Sequence, residues 1–384
     1  MFEVSIEPRW SLRLDNGEAL SERTIALLCA VADHGSLLRA CAAVGVSYRH
    51  AWALIRDGEA LLGMPLLLME RGKGSRLSPL SERLVWADRR VAARLSPTLD
   101  SLASELEAEI GRVQHEHEQP LRIRASHGFA VEALHHRLNR TGVLNELRYC
   151  SSVDAVASLA LGNCELAGFH IPGGEFERAA LDHYRPWLQP ASQRAIGLAT
   201  RRVGLIVARG DPKKIYGIED LARAELRFIN RQPGSGTRFL LDLLLHRAGI
   251  EPSQVNGYEQ CELTHAAVAA YVASDMADVG FGVETPARRF NLDFVPMHTE
   301  RYFLLCHERK LSDPALRQML QTLRGADFRA EVDRLPGYQA DNCGRVFELD
   351  EAFPALRAAV STAPPAARAP RSRASRVRNN PQAT

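Results

Sequence analysis

An apolar strand pattern at Leu226 to Ile229 runs into Asn-Arg-Gln-Pro-Gly-Ser-Gly-Thr-Arg (residues 230–238), and an apolar helix, Phe239 to His246, follows at once. A strand delivered through a glycine loop onto a helix start is the repeating unit of an α/β fold, so this stretch constrains the architecture more than any other. It also constrains the ligand. The glycines let backbone N–H groups converge, and the helix start adds unpaired N–H groups and the positive end of a dipole. Ser235 and Thr237 add hydroxyls, and Arg231 and Arg238 add full charges. Such a nest favours a small anion, held by Arg231, Gly234, Ser235, Gly236, Thr237 and Arg238. It is not a P-loop, because no Gly-Lys-Ser/Thr closes the run.

The same alternation extends over residues 120–350. Strands are expected at 121–125, 146–150, 165–171, at least one within 196–208 with a basic break at Arg201-Arg202, and at 277–280, 292–297 and 302–306, with helices at 129–139, 153–161, after Thr264 and at 314–323. This is too many strands for one small unit and points to two lobes of parallel sheet. Further donors fall where strands give way to helices: Ser126 and His127, Ser151 and Ser152, and Thr264 with His265. In an open α/β sheet those junctions face the ligand cleft. His170 is a further candidate there.

The first hundred residues follow a different rule. Residues 3–14 alternate as short strands would, and Asn16-Gly17 marks a turn. Helical spacing covers Glu22 to His34. Ser36 then caps a helix over 37–44, Gly45 ends it, and Ser47 caps a third helix over 48–62. Two capped helices joined by a glycine turn form a helix-turn-helix. The strand, Gly-rich basic tip and strand after Pro65 form a wing. Between residues 39 and 94 there are ten Arg/Lys against five Asp/Glu, while the formal charge of the whole chain is only +2. The candidate DNA contacts are Ser36, Ser47, Tyr48, Arg49 and His50 at the helix, and Arg71, Lys73 and Arg76 on the wing. A helix of about 30 residues from Pro79 to Arg112 carries leucines at 80, 84, 95, 99, 102 and 106, a stripe that needs a partner such as its own copy.

The expected organisation is a winged helix-turn-helix with its dimerisation helix (1–112), a linker (113–119), a two-lobed α/β domain (120–350) and a disordered basic tail (351–384). The tail holds six arginines after Ala352 and almost no large apolar residues. The opening residues lack the basic and apolar regions of a signal peptide, and no apolar run is long enough to span a bilayer. The seven scattered cysteines form no C-x-x-C, which argues for reduced thiols in a cytoplasm and against zinc. His115 and His117 sit in a polar hinge and make no metal site. No cofactor, membrane contact or catalytic constellation is expected; Gly-Ser-Gly lacks the G-x-S-x-G elbow of hydrolases.

The order of elements resembles the ModE-type molybdate regulators. The residues that carry the likeness are Gly35-Ser36, Ala40, Ala43, Gly45-Val46-Ser47-Tyr48, Ala51-Trp52 and the Gly-Lys-Gly wing. LysR-type regulators share the layout and stand a close second. Residues 120–350 resemble the periplasmic-binding-protein-like domain fused to such regulators, on Ala125-Ser126-His127, 166–170, 230–238, Gly257-Tyr258, 262–268, 277–280, 292–294 and Glu300-Arg301-Tyr302. This sequence departs from that pattern at Gly128, where an acidic residue is expected. The resemblance implies a cytoplasmic one-component regulator that binds double-stranded DNA as a homodimer or dimer of dimers. It also implies a small-anion effector: a molybdate- or tungstate-like oxyanion, or a small carboxylate such as formate. The alternative is a cytoplasmic anion-binding protein, or an enzyme of small-anion metabolism, whose helix-turn-helix serves dimerisation.

Overall fold

Local capping chemistry sets the first elements. In the computed structural model, which describes residues 3–70, 74–114 and 119–356, α1 (Glu22–His34), α2 (Leu37–Val44) and α3 (Tyr48–Leu62) each start at a serine whose hydroxyl accepts a backbone N–H. Each ends at a glycine with positive φ, Gly35, Gly45 and Gly63, a conformation that costs other residues more. The wing strands β1 (Leu67–Glu70) and β2 (Gly74–Leu77) pair antiparallel. The expected contacts Arg71 and Lys73 lie outside the described residues. The core of this unit is built from Ile25, Leu28, Val31, Ala51, Ile55 and Leu66. Residues 3–14 differ from expectation. They form no strand beyond one isolated bridge, Arg13 to Ala19, and run instead along the next helix, with the Val4 N–H donating to Glu107 and the Trp10 indole to Asp88.

That helix, α4 (Pro79–Gln114), has 36 residues and contains Pro97. Its leucines do not make one stripe. Leu84 and Val85 complete the winged-helix core, whereas Leu95, Leu102, Leu106, Ile110 and Val113 are exposed.

After α4 the chain alternates as β3 (Leu121–Ala125), α5 (Phe129–Arg140), β4 (Asn145–Tyr149), α6 (Ser152–Ala160), β5 (Leu166–Pro172) and α7 (Glu177–Tyr184). Then come β6 (Gln193–Val207), β7 (Phe228–Arg231), α8 (Gly236–Arg247), β8 (Cys261–Glu262), α9 (His265–Ala273), β9 (Val279–Val283), α10 (Glu284–Arg289) and β10 (Asp293–His307). The chain closes with α11 (Pro314–Arg324), α12 (Ala326–Asp333), β11 (Tyr338–Gln339), β12 (Val346–Glu348) and α13 (Leu349–Ala352).

The sheet order is β4-β3-β5-β10-β6-β9-β7-β8, with β11 and β12 also on β6. The two outer groups, β4-β3-β5 and β9-β7-β8, are parallel, as expected. The centre is not. β6 and β10 are uninterrupted 15-residue strands that pair antiparallel with each other and with β9 and β5. They cross between the groups and tie two lobes together. The expectation of two separate strands in 292–306, and of a break at Arg201-Arg202, is therefore corrected. Residues 351–356 also depart from the expected tail: Phe353 is fully buried against Phe169 and Phe303, so the lobe extends to Leu356. Residues 357–384 lie outside the described residues. Among the described residues no helix is long and apolar enough to cross a membrane.

Candidate functional site

The start of α3 presents one exposed polar face. Tyr48 is 48% exposed and stands edge-on to Trp52, with Arg49 and His50 beside it. The Ser36 and Ser47 hydroxyls accept the Arg39 and His50 N–H groups, so they cap their helices while remaining at the surface. Arg76 lies exposed on the second wing strand. Arg49, His50 and Arg76 are thus all open to solvent.

The second site is buried between the lobes. Its first wall comes from the ends of β3 and β5. The Ser126 hydroxyl lies 3.3 Å from His170 Nδ1 and 3.1 Å from the Tyr302 hydroxyl, which donates to the Ser126 carbonyl at 2.7 Å. Ser152, at the start of α6, also reaches His170 Nδ1 at 3.3 Å. The facing wall comes from the start of α8. Gly236 sits so close that a Cβ there would meet His170 Nε2 at 2.3 Å, and glycine is what allows the approach. Thr237, Arg231 and His265 complete the enclosure. His265 Nδ1 accepts the Val283 N–H at 3.3 Å, which leaves the ring proton on Nε2 as a donor. The enclosed volume is about 180 Å³, room for a small ion with a few waters at ~30 Å³ each. Past Ser152, His170 and Gly236 it opens into an outer cleft of about 790 Å³.

Charged side chains crowd the back of this chamber. Behind His170, Arg201 and Glu300 stand directly opposite each other on β6 and β10. The guanidinium Nε donates to Glu300 at 2.9 Å and Nη2 lies 2.8 Å from the same oxygen. Burial alone would raise the Glu300 pKa, but His170 and Arg201 outweigh it and hold the carboxyl below its usual range. Burial pushes His127 down to about 3, with Arg231 and Arg201 adding to it. His170 is pushed down to about 4, again by burial, despite Glu300. His265 falls well below its ordinary value for the same first reason. Arg231 is pushed down to about 10 by burial and by Arg201, and stays charged at neutral pH. Two guanidiniums thus face one carboxylate among three neutral imidazoles.

Several polar atoms here have no partner: His127 Nδ1, His170 Nε2, Arg201 Nη1, Arg231 Nε, the Tyr338 hydroxyl and, on the acceptor side, Glu300 Oε1. Buried polar atoms are nearly always paired, and an unpaired buried charge is costly. A side chain at position 128 would point at Arg201 Nη1 and the Tyr338 hydroxyl, so Gly128, in place of the expected acid, leaves both without a protein carboxylate.

Of the twelve residues expected at this site, Ser126, His127, Ser152, Arg231, Gly236, Thr237 and His265 surround the chamber. Four differ. The Thr264 hydroxyl accepts the Ala267 N–H and donates to the Ala93 carbonyl of α4, so it has no proton left for a ligand. The Ser151 hydroxyl donates to Asp154. Arg238 turns away, over the Tyr258 ring at 4.4 Å and toward Glu259 at 3.3 Å. Gly234, with φ +80°, lines only the outer cleft. Ser235 mainly caps α8 by accepting the Arg238 N–H, though it reaches both compartments. Arg201, Glu300 and Tyr338 were not foreseen.

Comparison with known proteins agrees with this division. Residues 131–324 match the profile of the PBP superfamily domain, and residues 23–82 that of the bacterial regulatory helix-turn-helix proteins of the lysR family. The chain is similar to the uncharacterized protein YvgK of Bacillus subtilis, 32% identical over 199 residues, which are 52% of this chain and 64% of that protein. It therefore spans less than two thirds of that relative's length. It is also similar to the molybdenum transport protein ModE of Azotobacter vinelandii, 34% identical over 107 residues, 27% of this chain and 40% of ModE. Among solved structures, CbnR, a LysR family transcriptional regulator, superposes with a TM-score of 0.36 at 16% identity, covering 78% of this chain and 98% of CbnR. The expected order of resemblance is thereby reversed: the helix-turn-helix is of the LysR type first, and the ModE likeness is partial.

Proposed function

Because this chain belongs to the PBP superfamily and carries a helix-turn-helix of the LysR family, we propose that it is a cytoplasmic one-component transcription regulator switched by a small anion. The observation that carries the reading is the buried set of unpartnered donors around His127, His170, Arg201 and Arg231, placed between two lobes that can close. The winged helix reads DNA through the exposed start of α3, with Arg49 and His50 as its leading contacts. The exposed row Leu95, Leu102, Leu106, Ile110 and Val113 on α4 fits a second copy, and a two-fold dimer matches a pseudo-palindromic operator.

The anion is a tetrahedral oxyanion such as molybdate or tungstate by first choice, since ModE's name ties that relative to molybdenum. Formate and other small carboxylates satisfy the same donors. Catalysis is not the chamber's business. His170 Nε2 lies 3.8 Å from Glu300, too far for a hydrogen bond, and Glu300 is held by Arg201. The serines beside His170 therefore lack an activated base.

Selecting bound sequences from a random DNA pool, then titrating the selected site with and without saturating molybdate, tungstate, sulfate, phosphate or formate, tests the reading. One of these ions should change operator affinity at least fivefold. Equal affinity under all five would refute anion control.

A further inference from the structure

One helix touches both lobes and the chamber between them. On the side of the β9-β7-β8 lobe, α4 grips α9 at both ends. The Thr264 hydroxyl, just ahead of α9, donates to the Ala93 carbonyl at 2.8 Å. That carbonyl is free because Pro97, four residues on, has no N–H to give it. Arg94 Nε donates to the buried Glu262 carboxylate at 2.6 Å. At the far end of α9, Arg90 reaches the Ser274 hydroxyl at 3.1 Å and Arg83 its carbonyl at 3.2 Å. The residue that α9 sends into the chamber is His265, next to Thr264.

On the other lobe, α4 lies along the edge strand β4. The Leu147 N–H donates to Ser104 Oγ at 2.8 Å and the Tyr149 N–H to Ser101 Oγ at 3.0 Å. Ala108 is fully buried, and Gly111 is so close to Leu144 that a Cβ would meet that side chain at 2.4 Å. Positions 101, 104, 108 and 111 form one small-residue face, which lets the helix act as a partner for a sheet edge. Between the two sets of contacts, Arg94, Pro97 and Thr98 line the chamber itself.

We infer that α4 is a working wall of the anion chamber: it straps the two lobes together, and it flexes at Pro97 when they close. This rests on the anion reading above and specifies how that site is regulated. The lobes are fixed to the helix on either side of Pro97, so their separation cannot change while α4 stays straight. A helix bends where its ladder lacks a bond, and here that place is the Ala93–Pro97 step. The winged helix hangs from the N-terminal arm of the same rod. From Pro79 to Pro97 that arm is ~27 Å long at 1.5 Å per residue, so a bend of about 10° displaces the DNA-reading unit by about 5 Å. Such a shift changes the spacing of two recognition helices in a dimer. The occupant of the chamber would thus be reported to the DNA through a contact it touches directly.

The test uses the full-length chain, the five ions named above and hydrogen exchange of backbone amides. In the wild type, the ion that alters operator affinity should also change exchange at least threefold in residues 94–104 and at Leu147 and Tyr149. Pro97→Ala returns an N–H to the ladder and stiffens the helix. At an ion concentration that saturates it, this variant should lose most of the ion's effect on operator affinity. Ser101→Ala/Ser104→Ala releases the other lobe and should uncouple in the same way. Wild-type coupling in both variants, or unchanged exchange in 94–104 with an ion bound, would overturn the strap. If none of the five ions binds the wild type, the anion reading itself fails, and the strap falls with it.

Discussion

Acidification attacks the chamber through its histidines, and the size of the effect follows from their burial. His127 and His170 are held down to about 3 and about 4, and His265 well below its ordinary value, each first because of burial. In the unfolded chain each would titrate near ~6.5. The unfolded state therefore takes up protons that the fold refuses, and stability present above pH ~6.5 is lost as the pH falls below it. The loss continues until the pH passes the folded values. For one such imidazole the step from pH 7 to pH 5 costs ~2 kcal/mol, so His127 and His170 together cost at most ~4 kcal/mol, and His265 adds in the same direction. Glu300 works in the opposite range. Its lowered pKa contributes stability above the ordinary carboxylate pKa, and that is lost only at lower pH. Urea unfolding followed by circular dichroism at pH 7 and pH 5 measures the difference. His170→Gln should remove ~2 kcal/mol of the acid loss, because it deletes one of these buried bases. If the wild type loses less than ~1 kcal/mol, or the variant loses as much as the wild type, the neutral-histidine chamber is wrong.

Three further outcomes follow from single contacts. Arg49→Ala should weaken operator binding by ~1–3 kcal/mol without lowering the melting temperature, as read by fluorescence anisotropy and calorimetry. Phe353→Ala should cost ~3–5 kcal/mol of unfolding free energy in urea denaturation, because the ring is fully buried with Phe303 at 4.9 Å. Gly236→Ala should displace His170 and weaken binding of the effector ion at least tenfold in a thermal-shift titration, since the added Cβ would lie 2.3 Å from Nε2.

Some of this was open to view in the sequence, for physical reasons. The boundaries of α1, α2 and α3 follow from Ser21, Ser36 and Ser47 at their starts and Gly35, Gly45 and Gly63 at their ends, signals that act within one turn. The strand–loop–helix at 226–246 likewise announced itself, and Arg231, Gly236 and Thr237 do surround the chamber. What escaped was non-local. Arg201 and Glu300 meet because two long strands pair antiparallel, a register that a sequence separation of 99 hides. The strands themselves were broken in two on paper, because a charge inside an apolar run reads as an interruption until its partner is known. The serine and threonine hydroxyls were over-read. Ser151 and Thr264 offer donors by composition, yet one is spent on Asp154 and the other on Ala93. In α4 the leucines drew attention to a dimer face, while the lobe-binding face is made of Ser101, Ser104, Ala108 and Gly111, residues with no hydropathy signal.

The central claim is that Arg231 and its neighbours hold one small anion per chain. Isothermal titration of the full-length protein with molybdate, tungstate, sulfate, phosphate and formate, repeated on Arg231→Gln, tests it directly. Removing one partner of a buried charged contact costs ~2–5 kcal/mol, so the ion that binds the wild type with one site per chain should bind the variant at least thirtyfold more weakly. Heat from none of the five ions, or equal affinity in Arg231→Gln, would contradict the account.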